Sequence, residues 1–373
     1  MKILLVGAGG YAKGYVVDLL KRKGTDAVFE GVVDPYFKNS VMANEILAAG
    51  IPVYNTMEEF YAEHTADLVI ICTPTYLHKV QSITALEHGS YVLTEKPVAS
   101  TVADVEAMIA AEEKYGKFIA VGYQMVFSEA MLALKADYKS GLLGAPVSLR
   151  TAISYPRALD YYKRGGGWGG RISKDGIIVL DSIASNACAH YLHNMLFLLG
   201  KDTDTSAEVA TIEAECLRAN DIENFDTCSM RMVTEEGAKL YFVASHAAEQ
   251  GRNPEFVYTF ENATVTYSRD DSPRIIATFR DGTTKDYGNP FAREFKKIDD
   301  CLNAIREGKT PVCTAKTAIA HTKLIEKIYH EVEIKNFPKD RVFLSEKTGG
   351  IAVKGLFEDM QNAYSRELLF SEI

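Results

Sequence analysis

The chain opens with Lys2-Ile3-Leu4-Leu5-Val6-Gly7-Ala8-Gly9-Gly10-Tyr11-Ala12, a short apolar run that leads at once into a glycine-rich turn and a helical pattern. This is the context of a dinucleotide-binding loop: a strand, a tight turn, and a helix whose N-terminus faces the phosphates. Gly7 permits the turn, Gly9 lets the backbone approach a pyrophosphate, and the small Ala12 keeps helix and strand close. A plain strand-to-helix turn is the alternative. The residues assigned to the cofactor loop are Gly7, Gly9, Gly10, Tyr11 and Ala12.

The first 122 residues have the pattern of a parallel sheet. Short β-branched runs alternate there with helical patterns, an order typical of strands connected by helices. The predicted strands are 2–6, 28–33, 68–72, 91–94 and 118–121, and the predicted helices are 11–23, 57–63, 77–87 and 102–115. We therefore expect residues 1–122 to form a doubly wound α/β domain, a Rossmann domain that binds a dinucleotide.

The pattern changes after Val147 to longer strands with alternating residues, which favours a mostly antiparallel open sheet. The predicted strands are 147–155, 207–218, 227–234, 240–247, 255–260, 263–267 and 275–279. The predicted helices are 181–199, 290–307 and 315–332, which we expect on one face of the sheet, and a last helix within 351–369, packed back on the body. Residues 123–373 are thus predicted to form an α+β domain for substrate binding and oligomerisation.

The composition excludes several classes of function. A net charge of −9 over 373 residues gives no basic surface for nucleic acid. No apolar run reaches the length of about 18 residues that a membrane helix needs. Six cysteines without short paired spacings predict neither a disulfide framework nor a zinc ribbon. Because the apolar run before Gly7 is too short for a secretory signal, we expect a cytoplasmic protein without nucleic-acid or membrane partners.

Asp34 ends the second predicted strand, where a carboxylate can accept both hydroxyls of the adenosine ribose. The same charge repels a 2′-phosphate, so NAD is favoured over NADP as the cofactor. A strand-ending aspartate in the turn Asp34-Pro35 is the structural alternative.

Three further stretches extend the pattern: Cys72-Thr73-Pro74-Thr75-Tyr76-Leu77-His78, Glu95-Lys96-Pro97 and Gly122-Tyr123-Gln124. With the glycine loop, they resemble the glucose-fructose oxidoreductase, inositol dehydrogenase and rhizopine catabolism family. The Glu-Lys-Pro element at this spacing is the specific part, and the resemblance covers about residues 1–200 by motif. It implies a nicotinamide cofactor and a homodimer or homotetramer whose subunits meet through an exposed face of the C-terminal sheet.

The resemblance assigns roles to individual residues. Lys96 is implied to be the acid/base group at the reactive end of the cofactor, where partial desolvation and the cationic nicotinamide should lower its pKa. A surface lysine before a turn is the alternative. The Lys96-Pro97 peptide bond is implied to be cis. The residues of these motifs and of the later tryptophan that are expected at the cofactor are Thr73, Pro74, His78, Glu95, Lys96, Gln124 and Trp168.

The family's second catalytic element reads Asp-x-Gly-x-His-x-x-Asp, and this chain keeps its histidine alone. Asn186, His190 and His193 stand at the three polar positions. Asn186 removes the charge that would orient His190 and raise its pKa, so we expect Lys96 to be the base and His190 to bind or polarise the reacting oxygen. Two structurally buried histidines are the alternative. No metal is expected, because Cys188, His190 and His193 lack a further ligand at suitable spacing.

The segment 155–171 is the least similar to the family. Five glycines and the chain's single tryptophan, Trp168, lie within residues 165–170, and four cations face one acidic residue across the segment. Such a loop can fold over a site, stack its tryptophan on a sugar or nicotinamide ring, and bring arginines to a carboxylate or phosphate. A solvated loop is the alternative. The residues assigned to substrate are Tyr123, Arg157, Arg164, Trp168, Arg171, Asn186 and His193.

These observations predict an NAD-dependent oxidoreductase acting on a secondary hydroxyl or ketone of a sugar, cyclitol or sugar derivative, anionic ones included. Lys96 is the expected acid/base residue, with His190 as its partner. One alternative is a tightly retained NAD used for hydrolysis or epimerisation without net redox change. The other is a non-catalytic NAD-binding sensor or regulator.

Overall fold

The computed structural model describes residues 1–269 and 272–373; the side chains of residues 164 and 165 lie outside the description, and with them the predicted substrate contact Arg164. The α-helices are α1 (Ala12–Lys21), α2 (Ala43–Ala48), α3 (Met57–Glu63), α4 (His78–Glu87), α5 (Val102–Tyr115), α6 (Glu129–Lys139), α7 (Arg164–Gly167), α8 (Ala189–Leu198), α9 (Lys296–Glu307), α10 (Ala315–Glu331) and α11 (Leu356–Arg366). The strands are β1 (Lys2–Val6), β2 (Val28–Val33), β3 (Val53–Tyr54), β4 (Leu68–Ile71), β5 (Tyr91–Thr94), β6 (Ile119–Val121), β7 (Pro146–Ser154), β8 (Ser173–Lys174), β9 (Ile177–Ile178), β10 (Val209–Arg218), β11 (Thr227–Thr234), β12 (Lys239–Ser245), β13 (Arg252–Phe260), β14 (Ala263–Ser268), β15 (Ile275–Phe279), β16 (Thr284–Gly288), β17 (Ile334–Asn336), β18 (Val342–Ser345) and β19 (Gly350–Val353).

The chain divides into two compact units. The first unit consists of Met1–Phe127 and Glu294–Ile319, and the second of Ser128–Arg293 and Ala320–Ile373. The sequence-based division after residue 122 differs from this in one main respect, because residues 294–319 return to the first unit. Their helix α9 contributes Ile298, Cys301 and Leu302 to the same buried cluster as the strand residue Leu5.

The first unit is built on a six-stranded parallel sheet in the order β3-β2-β1-β4-β5-β6. This confirms the doubly wound α/β fold. The order makes β1, β4 and β5 neighbours, so the loops that follow them emerge side by side at the carboxyl edge of the sheet. In a sheet of this type, ligands bind at that edge.

The second unit contains a nine-stranded sheet in the order β16-β15-β14-β13-β7-β12-β11-β10-β17. The pairs β7–β12 and β10–β17 are parallel and the other pairs are antiparallel, which confirms the mostly antiparallel sheet. The C-terminal segment forms the helix α11, as predicted.

Both faces of the central strands are covered within the second unit. Ala152, Tyr241 and Val243 share one face and pack against Leu356 and Met360 of α11. Their neighbours in β7, β11 and β12 point to the opposite face, where α8 packs against β7. The predicted helical cover is therefore corrected in two respects: α11 covers the other face, and α9, predicted on this sheet, packs in the core of the first unit. A dimer or tetramer, still a prediction, needs a surface other than the part beneath α11.

Among the helices described, none combines the length and the apolar character that crossing a membrane requires.

Candidate active site

The glycine loop has the shape that a dinucleotide requires. Gly7 has a φ of +88°, and a Cβ there would lie 2.7 Å from the carbonyl oxygen of Cys72 and 2.9 Å from Cγ2 of Thr73. At Gly9 and Gly10, a Cβ would meet none of the described atoms within 4 Å. Ala12 opens α1 with no exposed surface. Side chains are thus excluded where the loop touches the residues that follow β4, and space is left above the helix N-terminus, as a pyrophosphate needs.

Asp34 places a carboxylate beside the glycine loop. One of its oxygens accepts the backbone N–H of Ala8 at 2.8 Å, and the other accepts that of Tyr36 at 2.7 Å. Each oxygen retains acceptor capacity for a ribose hydroxyl, because a carboxylate oxygen has two lone pairs. The negative charge at this position suits NAD, as the sequence predicted.

The loops after β4 and β5 are joined by a buried histidine. His78 is 1% exposed, and its ring nitrogens lie 2.9 Å from the carbonyl oxygens of Thr73 and Pro97. Burial lowers the pKa of His78. These contacts favour a positioning role over the direct cofactor contact predicted for this residue. The Lys96-Pro97 peptide bond is cis, as expected.

Glu95 is held by two residues that sequence reasoning missed. Lys297 Nζ lies 2.6 Å from Glu95 Oε1, and the Tyr15 hydroxyl donates to the same oxygen at 2.6 Å. Lys297 has no exposed surface. A signal existed in the sequence, because Lys297 precedes Cys301 by four residues and so shares the apolar face of an amphipathic helix.

Tyr11, Gln124 and Tyr123 are also placed in the first unit. The Tyr11 hydroxyl lies 2.8 Å from Oε1 of both Gln124 and Glu294, so the loop residue and the predicted cofactor residue are neighbours. Tyr123 is completely buried, and burial, Cys313 and Glu95 raise the pKa of its phenol. This burial gives no support to the substrate contact predicted for Tyr123.

In the second unit, Asn186 and His190 keep exposed surface and His193 has none. Asn186 lies in a π-helical turn, Ile183–Ala187, which precedes α8. Such turns are frequent at functional sites. The exposure of Asn186 and His190 is compatible with a ligand-facing role, which stays a prediction for both.

His193 belongs to a buried cluster. Its ring lies 6.3 Å from that of His321 and 6.4 Å from that of Phe197. The Lys135 ammonium lies 3.7 Å from the Phe197 ring centre and donates to the carbonyl oxygen of Thr205 at 2.7 Å. Burial, His321 and Lys135 lower the pKa of His193 well below 6.5. The surroundings favour a neutral structural histidine, the alternative to the predicted substrate contact.

Asn186 has a carboxylate neighbour, Asp181, five residues earlier in the chain. Asn186 Nδ2 donates to Asp181 Oδ1 at 2.8 Å, and the backbone N–H of Gly170 donates to Asp181 Oδ2 at 2.6 Å. Asp181 is 5% exposed. Asp181 therefore supplies an acidic charge beside Asn186 and ties the loop around Trp168 to the π-helical turn.

Some cations of the segment 155–171 already form contacts within the second unit. Arg171 forms an ion pair with Glu223 at 2.9 Å and donates to the Gly167 carbonyl oxygen at 2.8 Å. Arg157 stacks on Tyr161, 4.5 Å from the ring centre. Trp168 is half-buried. The local positive excess expected for an anionic substrate is thus smaller than the sequence suggests.

The predicted residues fall into two groups. The first unit brings together the glycine loop, Asp34, Thr73, Glu95, Lys96 and Gln124, and the second contains Arg157, Trp168, Arg171, Asn186 and His190. The first group has the donor set and the space for NAD.

Comparison with known proteins identifies the family. The model of the oxidoreductase family with an NAD-binding Rossmann fold matches residues 1–123, and that of the Gfo/Idh/MocA C-terminal domain matches residues 131–266. The chain belongs to this family. The resemblance noted from the motifs is confirmed, and with it the assignment to NAD-binding oxidoreductases.

Individual relatives are distant. An inositol 2-dehydrogenase of Acidothermus cellulolyticus is 29% identical over 158 residues, which cover 42% of this chain and 46% of that protein. A 4-carboxy-2-hydroxymuconate-6-semialdehyde dehydrogenase of a Sphingobium species is 23% identical, over 90% of this chain and 98% of that protein. With most of the first curated relatives, the chain aligns over less than half of their length.

Solved structures support the fold. The WlbA dehydrogenase of Bordetella pertussis, determined with NADH and UDP-GlcNAcA, has a TM-score of 0.72 at 20% identity and is covered over 95% of its length by 88% of this chain. An oxidoreductase of Agrobacterium radiobacter, determined with NAD+, L-tartaric acid and magnesium, gives the same TM-score. At this identity the likeness concerns the architecture alone.

Proposed function

We propose that the protein is an NAD-dependent dehydrogenase of a secondary hydroxyl in a sugar, cyclitol or sugar acid, with Lys96 as its general base. The observation that carries the proposal is the adjacency of β1, β4 and β5, which sets the glycine loop, Thr73 and Glu95-Lys96 side by side at one edge of the sheet. A phosphate cradle and an amine therefore share the edge at which such sheets bind ligands.

The residues that would hold NAD are Gly7, Gly9 and Gly10 at the pyrophosphate, Asp34 at the adenosine ribose, and Thr73 near the nicotinamide ribose. Bound NAD supplies a hydride acceptor at C4 of its nicotinamide. Lys96 takes the hydroxyl proton while the carbon-bound hydrogen leaves as hydride. In the reverse direction, Lys96 returns the proton to the oxygen. His190, with Asn186, orients the reacting oxygen. A positioned acid/base group of this kind contributes about 100-fold or more to the rate.

The names of the relatives support the substrate class. An inositol 2-dehydrogenase and a 1,5-anhydro-D-fructose reductase are among the similar curated proteins, and the compounds in both names are polyhydroxylated rings. Trp168 and the exposed parts of Arg157 suit a ring with polar substituents.

The test is the reduction of NAD by the full chain with a panel of cyclitols, aldoses and sugar acids, followed by kinetics of Lys96→Met on the best substrate. We expect turnover to fall at least about 100-fold while the Kd for NAD changes little. Lys117→Met, a lysine of the same unit that lies over the Tyr91 ring, is the matched control.

Near-normal turnover of Lys96→Met would contradict the mechanism. Purified protein that retains NAD and converts a panel compound without net reduction would favour epimerisation or hydrolysis instead. Binding of NAD without turnover of any compound would favour a sensor.

A further inference from the structure

The ion pair between Glu95 and Lys297 lies inside the first unit. The side chain of Lys297 has no exposed surface and that of Glu95 keeps 8%. The aromatic rings of Tyr15 and Tyr11 lie 4.8 and 5.2 Å from the Lys297 ammonium, and that of Phe295 lies 5.9 Å away. The two charges are therefore removed from water and neutralise each other.

Stability alone does not account for such a pair. Burying two charges costs desolvation energy that their attraction offsets only in part, and apolar replacements of both partners are often tolerated. The pair is a weak contributor to folding and a strong constraint on where the carboxylate lies. Glu95 directly precedes Lys96 in the chain, which indicates that the constraint serves Lys96.

Three groups hold the Glu95 carboxylate in place. Lys297 of α9 and Tyr15 of α1 both contact Oε1, and the backbone N–H of Lys96 lies 3.3 Å from Oε2. A Cβ at Gly122 would lie 2.7 Å from Oε1. Glycine at 122 thus leaves the space that the carboxylate occupies.

The tyrosines and the cysteine around Glu95 carry no charge that could balance its carboxylate, so this role falls to Lys297. Burial and then the Glu95 charge raise the pKa of Tyr11, Tyr15 and Cys72, and burial, Cys313 and Glu95 raise that of Tyr123. These groups are neutral at pH 7 and cannot add a second negative charge. An uncompensated buried carboxylate next to Lys96 would favour the ammonium form of that lysine.

We propose that Lys297 is a positioning residue for Lys96: its ammonium holds and balances the Glu95 carboxylate, which keeps the Lys96 amine available to accept a proton. The inference rests on the proposed function of Lys96. Lys297 acts through Glu95 and does not itself meet the substrate.

The test measures the pKa of Lys96 by NMR in the full chain labelled with 13C-lysine, with and without NAD, the signal being assigned with Lys96→Arg. Lys297→Met keeps the length of the side chain and removes the charge; we expect the pKa of Lys96 to rise by about one unit or more. Lys297→Arg should keep it close to the wild-type value.

The control is Lys296→Met, the neighbouring lysine, which pairs with Asp300 at 2.7 Å within the same helix. It should leave Lys96 unchanged. A Lys297→Met protein that titrates like this control would overturn the inference.

Two further variants keep the test decisive if Lys297→Met does not fold. Glu95→Gln leaves the Lys297 charge in place and should lower the pKa of Lys96, whereas Glu95→Gln combined with Lys297→Met removes both charges and should bring it back towards wild type. Equal pKa values in wild type and both variants would overturn the inference. Loss of the proposed function is separately visible, because it is read from the turnover of Lys96→Met.

Discussion

Asn186 donates its side-chain amide to Asp181 at 2.8 Å, and Asp181 in turn accepts the backbone N–H of Gly170 at 2.6 Å. One buried carboxylate therefore links the π-helical turn before α8 to the glycine-rich loop that contains Trp168. The chain lacks the family's aspartate at position 186, but the carboxylate of Asp181, five residues earlier, accepts a hydrogen bond from the Asn186 amide. An acidic group is therefore present in this region, and it is connected to position 186 through that amide.

Asp181→Asn is expected to loosen the glycine-rich loop. A neutral amide is a weaker acceptor than a carboxylate, and the lost charge-assisted bonds should lower the free energy of unfolding by about 1 to 3 kcal/mol. Trp168, the chain's single tryptophan, reports the loop directly: acrylamide should quench its fluorescence more efficiently in the variant.

The control for this variant is Asp175→Asn, which makes the same change at an exposed residue of the neighbouring β8–β9 hairpin. Asn also tolerates the positive φ of 52° at that position. Identical quenching in Asp181→Asn, Asp175→Asn and wild type would show that Asp181 does not anchor the loop.

The glycine loop allows stability and binding to be separated. Gly7→Ala should destabilise the protein even without NAD, because its Cβ would lie 2.7 Å from the Cys72 carbonyl oxygen at a φ of +88°. Gly9→Ala meets none of the described atoms within 4 Å, so the melting temperature should stay near wild type while the Kd for NAD rises at least about tenfold through the approach of the pyrophosphate. Thermal unfolding and calorimetric titration with NAD check both, and unchanged NAD affinity in Gly9→Ala would contradict the loop's assignment.

Local signals made much of the fold predictable. The helices Met57–Glu63 and Val102–Tyr115 are observed with the predicted bounds. Thr56 and Thr101 precede them, and each accepts the N–H of the residue three positions on, which is the N-cap arrangement. The glycine loop likewise made β1 and α1 predictable, because its strand, its glycines and its helix are consecutive in the chain.

Long-range relationships were not predictable. Lys297 reaches Glu95 across 202 residues, and the sequence gives no partner for a lysine on an apolar helix face. The helix Glu129–Lys139 was missed although Ser128 caps it by accepting the N–H of Met131 at 3.1 Å. The predicted helix 181–199 contains a π-helical turn, and that turn brings Asn186 to Asp181.

His193 should make the protein more sensitive to acid. Its pKa in the folded protein is lowered well below 6.5 by burial, His321 and Lys135, whereas the unfolded chain binds the proton near its ordinary value. The contribution of the neutral ring is complete above pH 6.5 and is lost as the pH falls below it, by about 2 kcal/mol at pH 5. In urea unfolding between pH 7 and pH 5, His193→Leu should lose less stability than wild type.

His330→Gln, a substitution at an exposed histidine in the last turn of α10, is the control for this slope. It should retain the acid sensitivity of wild type. If His193→Leu follows the same slope as His330→Gln, the ring is protonated in the folded protein and the structural assignment of His193 is wrong.

Glu112 gives a dependence of the opposite sign. Burial raises the pKa of Glu112 to about 7, while its carboxyl accepts the backbone N–H of Ile119 at 2.6 Å. Because the folded protein binds this proton more tightly than the unfolded chain, the contribution to stability is complete below pH 4.5 and is lost as the pH rises through 7. Glu112→Gln keeps an acceptor without the charge, so at pH 8 it should exceed wild type by about 1 to 3 kcal/mol in the free energy of unfolding and match it near pH 4.5.

The control is Glu113→Gln, at the adjacent exposed residue that pairs with Lys316 at 3.1 Å, and its stability should not diverge from wild type with pH in this way. A Glu112→Gln protein no more stable than wild type at pH 8 would mean that the carboxylate is satisfied in its ionised form.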